Sequence, residues 1–319
     1  MLNEMRVGKL STESIAAFHK LGRNLNFEDS IEATELFPTR NEVENSNRTR
    51  MAQLHGKAYI FDAVDGGTMT DITQREKTLN NSCMAPQQVT LKKGAQVMLI
   101  KNLDDGLVNG SIGQVIAFMD ERTYDLYLED EDAFQPADAA GMDEDHLQAS
   151  RNKIKGYASK DAAPANSQAW PLVSFQLQDG TTRQLLCVRE AWTIELPNGE
   201  VQASRSQVPL ILAWALSIHK AQGQTLERVK VDLGKVFEKG QAYVALSRAT
   251  NQEGLQILRF DPRKVMAHEK VRKFYDSLYN VRAGVPATTL AATSAGSRSD
   301  WMGDGFDDDS HMLEYSNYA

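Results

Sequence analysis

Two stretches of this 319-residue chain combine residue types suited to phosphate chemistry. In the first, Leu210 to Thr225 (LILAWALSIHKAQGQT), an apolar run leads to Ser217, and His219 and Lys220 follow within three positions. A strand delivering Ser217 to the start of a helix would gather free backbone N–H groups, the positive end of the helix dipole and a lysine in one small volume. That suits a nucleic-acid backbone phosphate. The same residues also describe a buried strand and helix with a solvated lysine. In the second stretch, Gly240 to Phe260 (GQAYVALSRATNQEGLQILRF), small and apolar residues predict a helix ending at Ser247-Arg248, and Gly254 precedes the return strand LQILRF. One arginine is thereby held at the edge of an element, as stabilisation of charge on a transferring phosphoryl group requires. Spacing alone favours the plainer role of a surface salt-bridge arginine.

Phosphate transfer also needs a Gly-rich loop ending in Gly-Lys-Ser/Thr. The Gly-Lys pairs here continue as Gly8-Lys9-Leu10, Gly56-Lys57-Ala58 and Gly234-Lys235-Val236, and none fits. Asp120-Glu121, in QVIAFMDER, resembles a magnesium-binding strand end but falls between two expected strands and predicts a hairpin turn. Cys83 and Cys187 are the only cysteines and lack CxxC spacing, so neither a zinc site nor a disulfide framework is indicated.

Elements must position these residues. LSTESIAAFHKLGR, with apolar Ile15, Phe18 and Leu21 and a cap at Ser11 or Thr12, predicts a helix. ATELFPTRNEVENSNRTRMAQLHG predicts a strand ending at Phe37, a capping box of Thr39 with Glu42, and a helix running to a stop at Gly56. KAYIFDAVDGG predicts a second strand, while MTDITQREKTLNN is polar and expected at the periphery. After LKKGAQVMLIKN come short strands, GSIGQVIAF, TYDLYLE, LVSFQLQDGTTRQLLCVRE and AWTIELPNGEVQA, with Asp-Gly and Asn-Gly turns that predict a small β-barrel or twisted meander. An acidic, Ala-rich connection over 129–169 is expected to be a mobile loop. The α/β pattern resumes with VPLILAWALSIHKAQGQT, read as strand and helix, and the strand RVKVDLG, so the barrel is inserted within an α/β domain. PRKVMAHEKVRKFYDSLY predicts the last helix.

Composition sets the outer bounds. A hydrophobic share of 41% over this length can bury a substantial core, and no apolar run approaches the length of a membrane span or a secretory signal. A soluble, intracellular protein is expected. The net charge of -8 would argue against nucleic acid, but eight acidic residues and no Lys or Arg fall between Glu129 and Leu147, and six acidic residues against one Arg between Ala283 and Ala319. Without these two segments the chain carries about +5, which permits a local basic surface.

Taken together, the two chemical stretches resemble helicase motifs V and VI. LFPTRNEVENSNRTR resembles motif IV of the petite-integration-frequency DNA helicases of superfamily 1B, LKKGAQVMLIKNLDDGLVNGSIGQVIAF their lead-in to a barrel insertion, and the opening helical residues their inter-domain connection. The resemblance runs from Met1 to Asn280, with Ala221 standing where a serine is expected. It implies the C-terminal half of a 5′–3′ DNA helicase of genome maintenance: an α/β, RecA-like, P-loop-NTPase-type second motor domain without the phosphate loop, interrupted by the barrel. Its parts would be an inter-domain helix (1–30), a first RecA-like part (31–108), the insertion (109–207), a second RecA-like part (208–280) and a disordered acidic tail (281–319).

The resemblance also assigns roles. Arg40 and Arg248 would reach the γ-phosphate of ATP, whose Mg²⁺ complex is held mainly by a first RecA-like domain outside these residues. Gln222, Gly223 and Gln224 would lie where nucleotide and DNA sites are coupled. Ser217, His219, Lys220, Gln241, Tyr243 and Arg248 would contact DNA, single-stranded or forked. No metal ligand is expected here, no membrane partner is implied, and the location implied is the nucleus, the mitochondrion or both. The competing expectation is a DNA-binding or adaptor protein that kept the fold and lost the motor.

Overall fold

The computed structural model describes residues 1–27, 29–129, 168–177 and 179–282. The connection over 129–169, apart from its ends, and the tail after residue 282 lie outside the described residues. Met1–Met266 form one compact unit, and the segment from Ala267 onward forms a second.

A four-stranded parallel sheet carries the α/β part. Its strands are β1 (Thr34–Phe37), β12 (Ala215–Ser217), β13 (Val229–Asp232) and β14 (Leu255–Leu258), in the order β12-β1-β13-β14. Phe37 is in register with Ser217, and Leu36 with Val231. Leu36, Leu216, Val229, Val231 and Ile257 are all buried, and Phe18 of helix α2 (Thr12–Lys20) packs into the same core. Ser11 caps α2, accepting from Ser14 N at 3.2 Å. An earlier short helix, α1 (Leu2–Val7), precedes it. Gly254 is required at the approach to β14, because an added Cβ would stand 1.7 Å from the Glu227 carbonyl oxygen.

Helix α3 (Arg40–Gln53) follows β1 and starts as the capping box predicts: the Thr39 hydroxyl accepts from Glu42 N and donates to Glu42 Oε2 at 2.8 Å. It ends before Gly56, because extended backbone at Leu54 breaks it and Lys92 Nζ takes the Met51 and Leu54 carbonyls. The second expected strand divides into β2 (Tyr59–Asp62) and β3 (Val64–Gly66), neither in the parallel sheet. The polar segment after them is helix α4 (Ile72–Ser82), capped by Asp71 and anchored by fully buried Leu79.

The remaining strands are β4 (Gln88–Leu91), β5 (Gln96–Leu99), β6 (Ile112–Met119), β7 (Trp170–Gln176), β8 (Thr182–Leu186), β9 (Glu190–Glu195), β10 (Val201–Gln207) and β11 (Leu210–Leu212). They make a five-stranded sheet, β11-β5-β6-β7-β8, a three-stranded sheet, β3-β10-β9, and the pair β2-β4, rather than one closed barrel. Closure is prevented at the β11 edge, where the chain leaves after three residues to become β12 of the parallel sheet. Strands β5 and β6 pair antiparallel across the expected boundary at 108/109. TYDLYLE is not a strand but part of helix α5 (Glu121–Glu129), and Asp120 caps it, accepting from Thr123 N at 2.7 Å, instead of making a hairpin turn.

Arg205 on β10 is fully buried and makes two short bonds to Asp65, with further bonds to Asn80 Oδ1 (2.9 Å) and the Ala85 carbonyl (3.0 Å). One side chain thus ties β10 to β3 and to the C-terminal half of α4. The Asp65 carboxylate holds the guanidinium even more firmly charged than usual. The last expected helix is divided: a 3₁₀ turn at Pro262–Lys264 belongs to the first unit, and α7 (Glu269–Arg282) to the second. Among the described residues no helix is long and apolar enough to cross a membrane.

Candidate functional site

All four strands of the parallel sheet end on one side. There the chain passes from β1 to Arg40, from β12 to His219 and Lys220, and from β13 to the loop 233–240. The chain leaves β1, returns beside it as β12, then crosses over to β13 on its other flank, and such a reversal opens a crevice at the carboxyl ends of the strands.

Among the described residues β12 has only one strand neighbour, β1, and a side chain takes the other place. Asn47, buried on α3, donates to the Ala215 carbonyl and accepts from Ala215 N, both at 3.0 Å. This fixes the strand end from which Ser217 emerges. Asn47 escaped the sequence reading because one amide in a polar helix carries no motif.

The helix expected after Ser217 does not form. Residues 218–223 are turns, and Gly223, at φ 81°, turns the chain away before a helix is established. The Ser217 hydroxyl accepts from Lys220 N at 3.2 Å and is nearly inaccessible, so Ser217 positions Lys220 rather than presenting itself. Lys220 shares a groove of about 790 Å³ with Arg40, Ser217, Arg48 and apolar Val43 and Ile211. The surrounding protein, and then the Arg40 cation, hold the Lys220 ammonium below the usual lysine range. Among the described residues neither Arg40 nor Lys220 has a salt-bridge partner. One carboxylate, Glu44, also lines the groove and partly offsets the Arg40 field at Lys220, so Arg40, Arg48 and Lys220 against Glu44 leave it net positive and suited to an anion.

His219 turns away from this groove towards loop 233–240, with Nε2 3.7 Å from Glu238 Oε2. Gln222 and Gly223 are exposed, and Gln224 is buried.

Helix α6 (Gln241–Leu246) carries the other predicted group. Arg248, just beyond it, is half-buried and donates to the Val244 carbonyl (3.1 Å), the Gln224 carbonyl (3.2 Å) and Ser247 Oγ (2.9 Å). These neutral acceptors orient the guanidinium without cancelling its charge, which differs from the plainer salt-bridge role. Gln241 and Tyr243 are not open surface. Gln241 is buried and accepts from Phe237 N; Tyr243 accepts from Arg6 Nε at 2.8 Å, with the guanidinium 5.1 Å from its ring centre. The structure therefore gathers Arg40, Ser217 and Lys220 around one groove, and places Arg248 on the far side of Gln224.

Comparison with known proteins identifies the lineage. The family model described as the 2B domain of DNA helicase Pif1 matches residues 76–118, from α4 into β6. The chain is 65% identical over 278 residues to an ATP-dependent DNA helicase PIF1 of Emericella nidulans, and 40% identical over 340 residues to that of Saccharomyces cerevisiae. The chain belongs to the PIF1 helicase family. In each pairing 87% of this chain is aligned, against 37% and 39% of the relative, so it spans well under half the length of these PIF1 proteins. The crystal structure of Pif1 helicase from Candida albicans is 41% identical, with a TM-score of 0.62 over 87% of this chain and 56% of that one. The PIF1-type assignment carries the α/β, RecA-like helicase fold with it. The 2B match starts at Glu76, well before the expected insertion boundary at 109, in keeping with the β5–β6 pairing.

Proposed function

We propose that these residues form the second motor domain of an ATP-dependent 5′–3′ DNA helicase of genome maintenance, acting in the nucleus, the mitochondrion or both. The four-stranded sheet is its RecA-like part and the β-rich segment its insertion. Arg40 and Lys220 hold backbone phosphates of single-stranded or forked DNA, with Ser217 as the residue that sets Lys220. Arg248 reaches the γ-phosphate of ATP, a task the family resemblance also gives to Arg40. The phosphate loop and the carboxylate for Mg²⁺, which residues 1–319 do not supply as Gly-Lys-Ser/Thr and its companion strand, belong to a separate RecA-like domain.

The observation that carries this reading is a net positive groove in which Arg40 and Lys220, neither of them in a salt bridge among the described residues, outweigh Glu44 at the carboxyl edge of a parallel sheet, in a chain of this family. Fluorescence anisotropy with labelled single-stranded DNA tests it. The 319-residue chain should bind weakly and lose affinity with salt, and the double variant Arg40→Ala/Lys220→Ala should bind at least about tenfold more weakly at low salt. Unchanged affinity in the double variant sinks the assignment of this groove. Retained DNA binding without ATP turnover, even after a first motor domain is supplied, would favour the adaptor reading.

A further inference from the structure

The turn that carries Lys220 is fastened to the β-rich segment at one small junction. Gln224 is only 5% exposed, yet its Oε1 has no hydrogen-bond partner among the described residues, and its Nε2 lies 4.0 Å from Met84 Sδ. Asn109, in the connection between β5 and β6, repeats this arrangement: Nδ2 lies 3.9 Å from the same sulfur, and its buried Oδ1 is also without a partner. Beside them the Gly110 backbone approaches closely, its Cβ position lying 3.5 Å from the Thr225 carbonyl oxygen and 3.9 Å from Gln224 Cβ. A cavity of about 510 Å³ opens beside this junction, lined by Val108, Asn109, Gly110 and Ser111 from one side and by Gly223 and Thr225 from the other.

Gln224 also faces the opposite way. Its carbonyl oxygen accepts from Arg248 Nη1 at 3.2 Å, so Asn109, Met84, Gln224 and Arg248 form one continuous series of contacts. A thioether is a weak acceptor, so both amides are held here by weak polar contacts and by packing. A weakly held contact can be exchanged for another arrangement at small cost, which is what a transmitting element needs.

We propose that Met84 and Asn109 are positioning residues for Arg248: by holding the Gln224 side chain they fix the carbonyl that aims the guanidinium, so a shift of the 103–111 connection changes where Arg248 points. The importance of that aim rests on the phosphate role proposed above; the coupling itself does not. The test uses the 319-residue chain labelled with ¹⁵N-arginine, with the Arg248 Nε–H resonance identified by its loss in Arg248→Lys. Met84→Ala and the milder loop variant Asn109→Ser should each shift that resonance and speed its exchange with water at least about threefold, while Arg259, paired with Asp232, stays unchanged. An unmoved Arg248 resonance in both variants overturns the proposal, and so does an equal change at Arg259, which would mean general loosening. Turnover of Arg248→Lys in a complete enzyme judges the phosphate role separately, so the two ideas fail by different measurements.

Discussion

At Arg248 the guanidinium is oriented by two carbonyls and a hydroxyl and keeps its full charge, so geometry is what a substitution would remove. Arg248→Lys keeps the charge but loses the planar fork. In a complete enzyme it should fail nearly as badly as Arg248→Ala, with turnover down by about 10³ to 10⁵, or about 4 to 7 kcal/mol, whereas an exposed salt bridge is worth about 0 to 1 kcal/mol. A fall of less than about tenfold in a steady-state ATPase assay makes Arg248 structural. Lys220 gives a second test through pH. Its pKa is lowered in the folded chain, so its charge costs stability below that value, and the cost is relieved as pH rises past it towards the unfolded lysine pKa. A bound phosphate would favour the charged form. Affinity for single-stranded DNA should therefore decline once pH rises past that lowered value, before it would for an ordinary lysine, and Lys220→Arg should abolish the decline. Lys220→Ala should reduce the salt slope by about 0.7, read from anisotropy titrations at several salt concentrations.

Among the elements, the tie that most exceeds what its segment announced is Arg205. With the pair to Asp65 intact the buried charge is compensated; Asp65→Ala strands it and should cost about 3 to 5 kcal/mol in urea unfolding, while the double change Asp65→Ala/Arg205→Met should recover much of the loss. If the double variant is no more stable than the single, the pair is not the cause. The cap at Thr39 is worth less: Thr39→Ala should cost about 1 kcal/mol. That cap was legible in the sequence, as were α2, α6 and both hairpin turns, because each depends on contacts a few residues apart; β1 and the approach through Gly254 were legible from residue type, though their partners lie far along the chain. TYDLYLE misled because Tyr124, Leu126 and Leu128 alternate like a strand, whereas the Asp120 cap and the pairing of Tyr124 with Tyr127 follow helical spacing. The turn after Ser217 misled because the chain leaves it at Gly223 for a bridge between Leu226 and Ala249, a partner that local pattern does not reveal. Of the candidate site, the cations were legible from residue type and motif order. That Ser217, Gln241 and Tyr243 are already engaged with Lys220 N, Phe237 N and Arg6 follows only from packing.

For the whole molecule, the chain on its own is expected to show no ATPase activity with Mg²⁺ and single-stranded DNA. Phosphate release that survives repurification and persists in Arg248→Ala would defeat this. The acidic total is compatible with the proposed DNA binding, because the cations assigned to it sit at one sheet edge. Connectivity has a further cost in time. Strand β1 takes β12 as its partner about 180 residues downstream, and β12 in turn shares its short lead-in with β11 of the other sheet. On a ribosome moving at about 5 to 20 residues per second, β1 would wait roughly 10 to 40 s for that partner to be made. For that interval Leu36 and Phe37 stand on a strand with both edges open, the condition that favours pairing with the wrong chain. A synthesis product cut off inside the β-rich segment would keep this exposed strand permanently, and should need a chaperone to stay in solution.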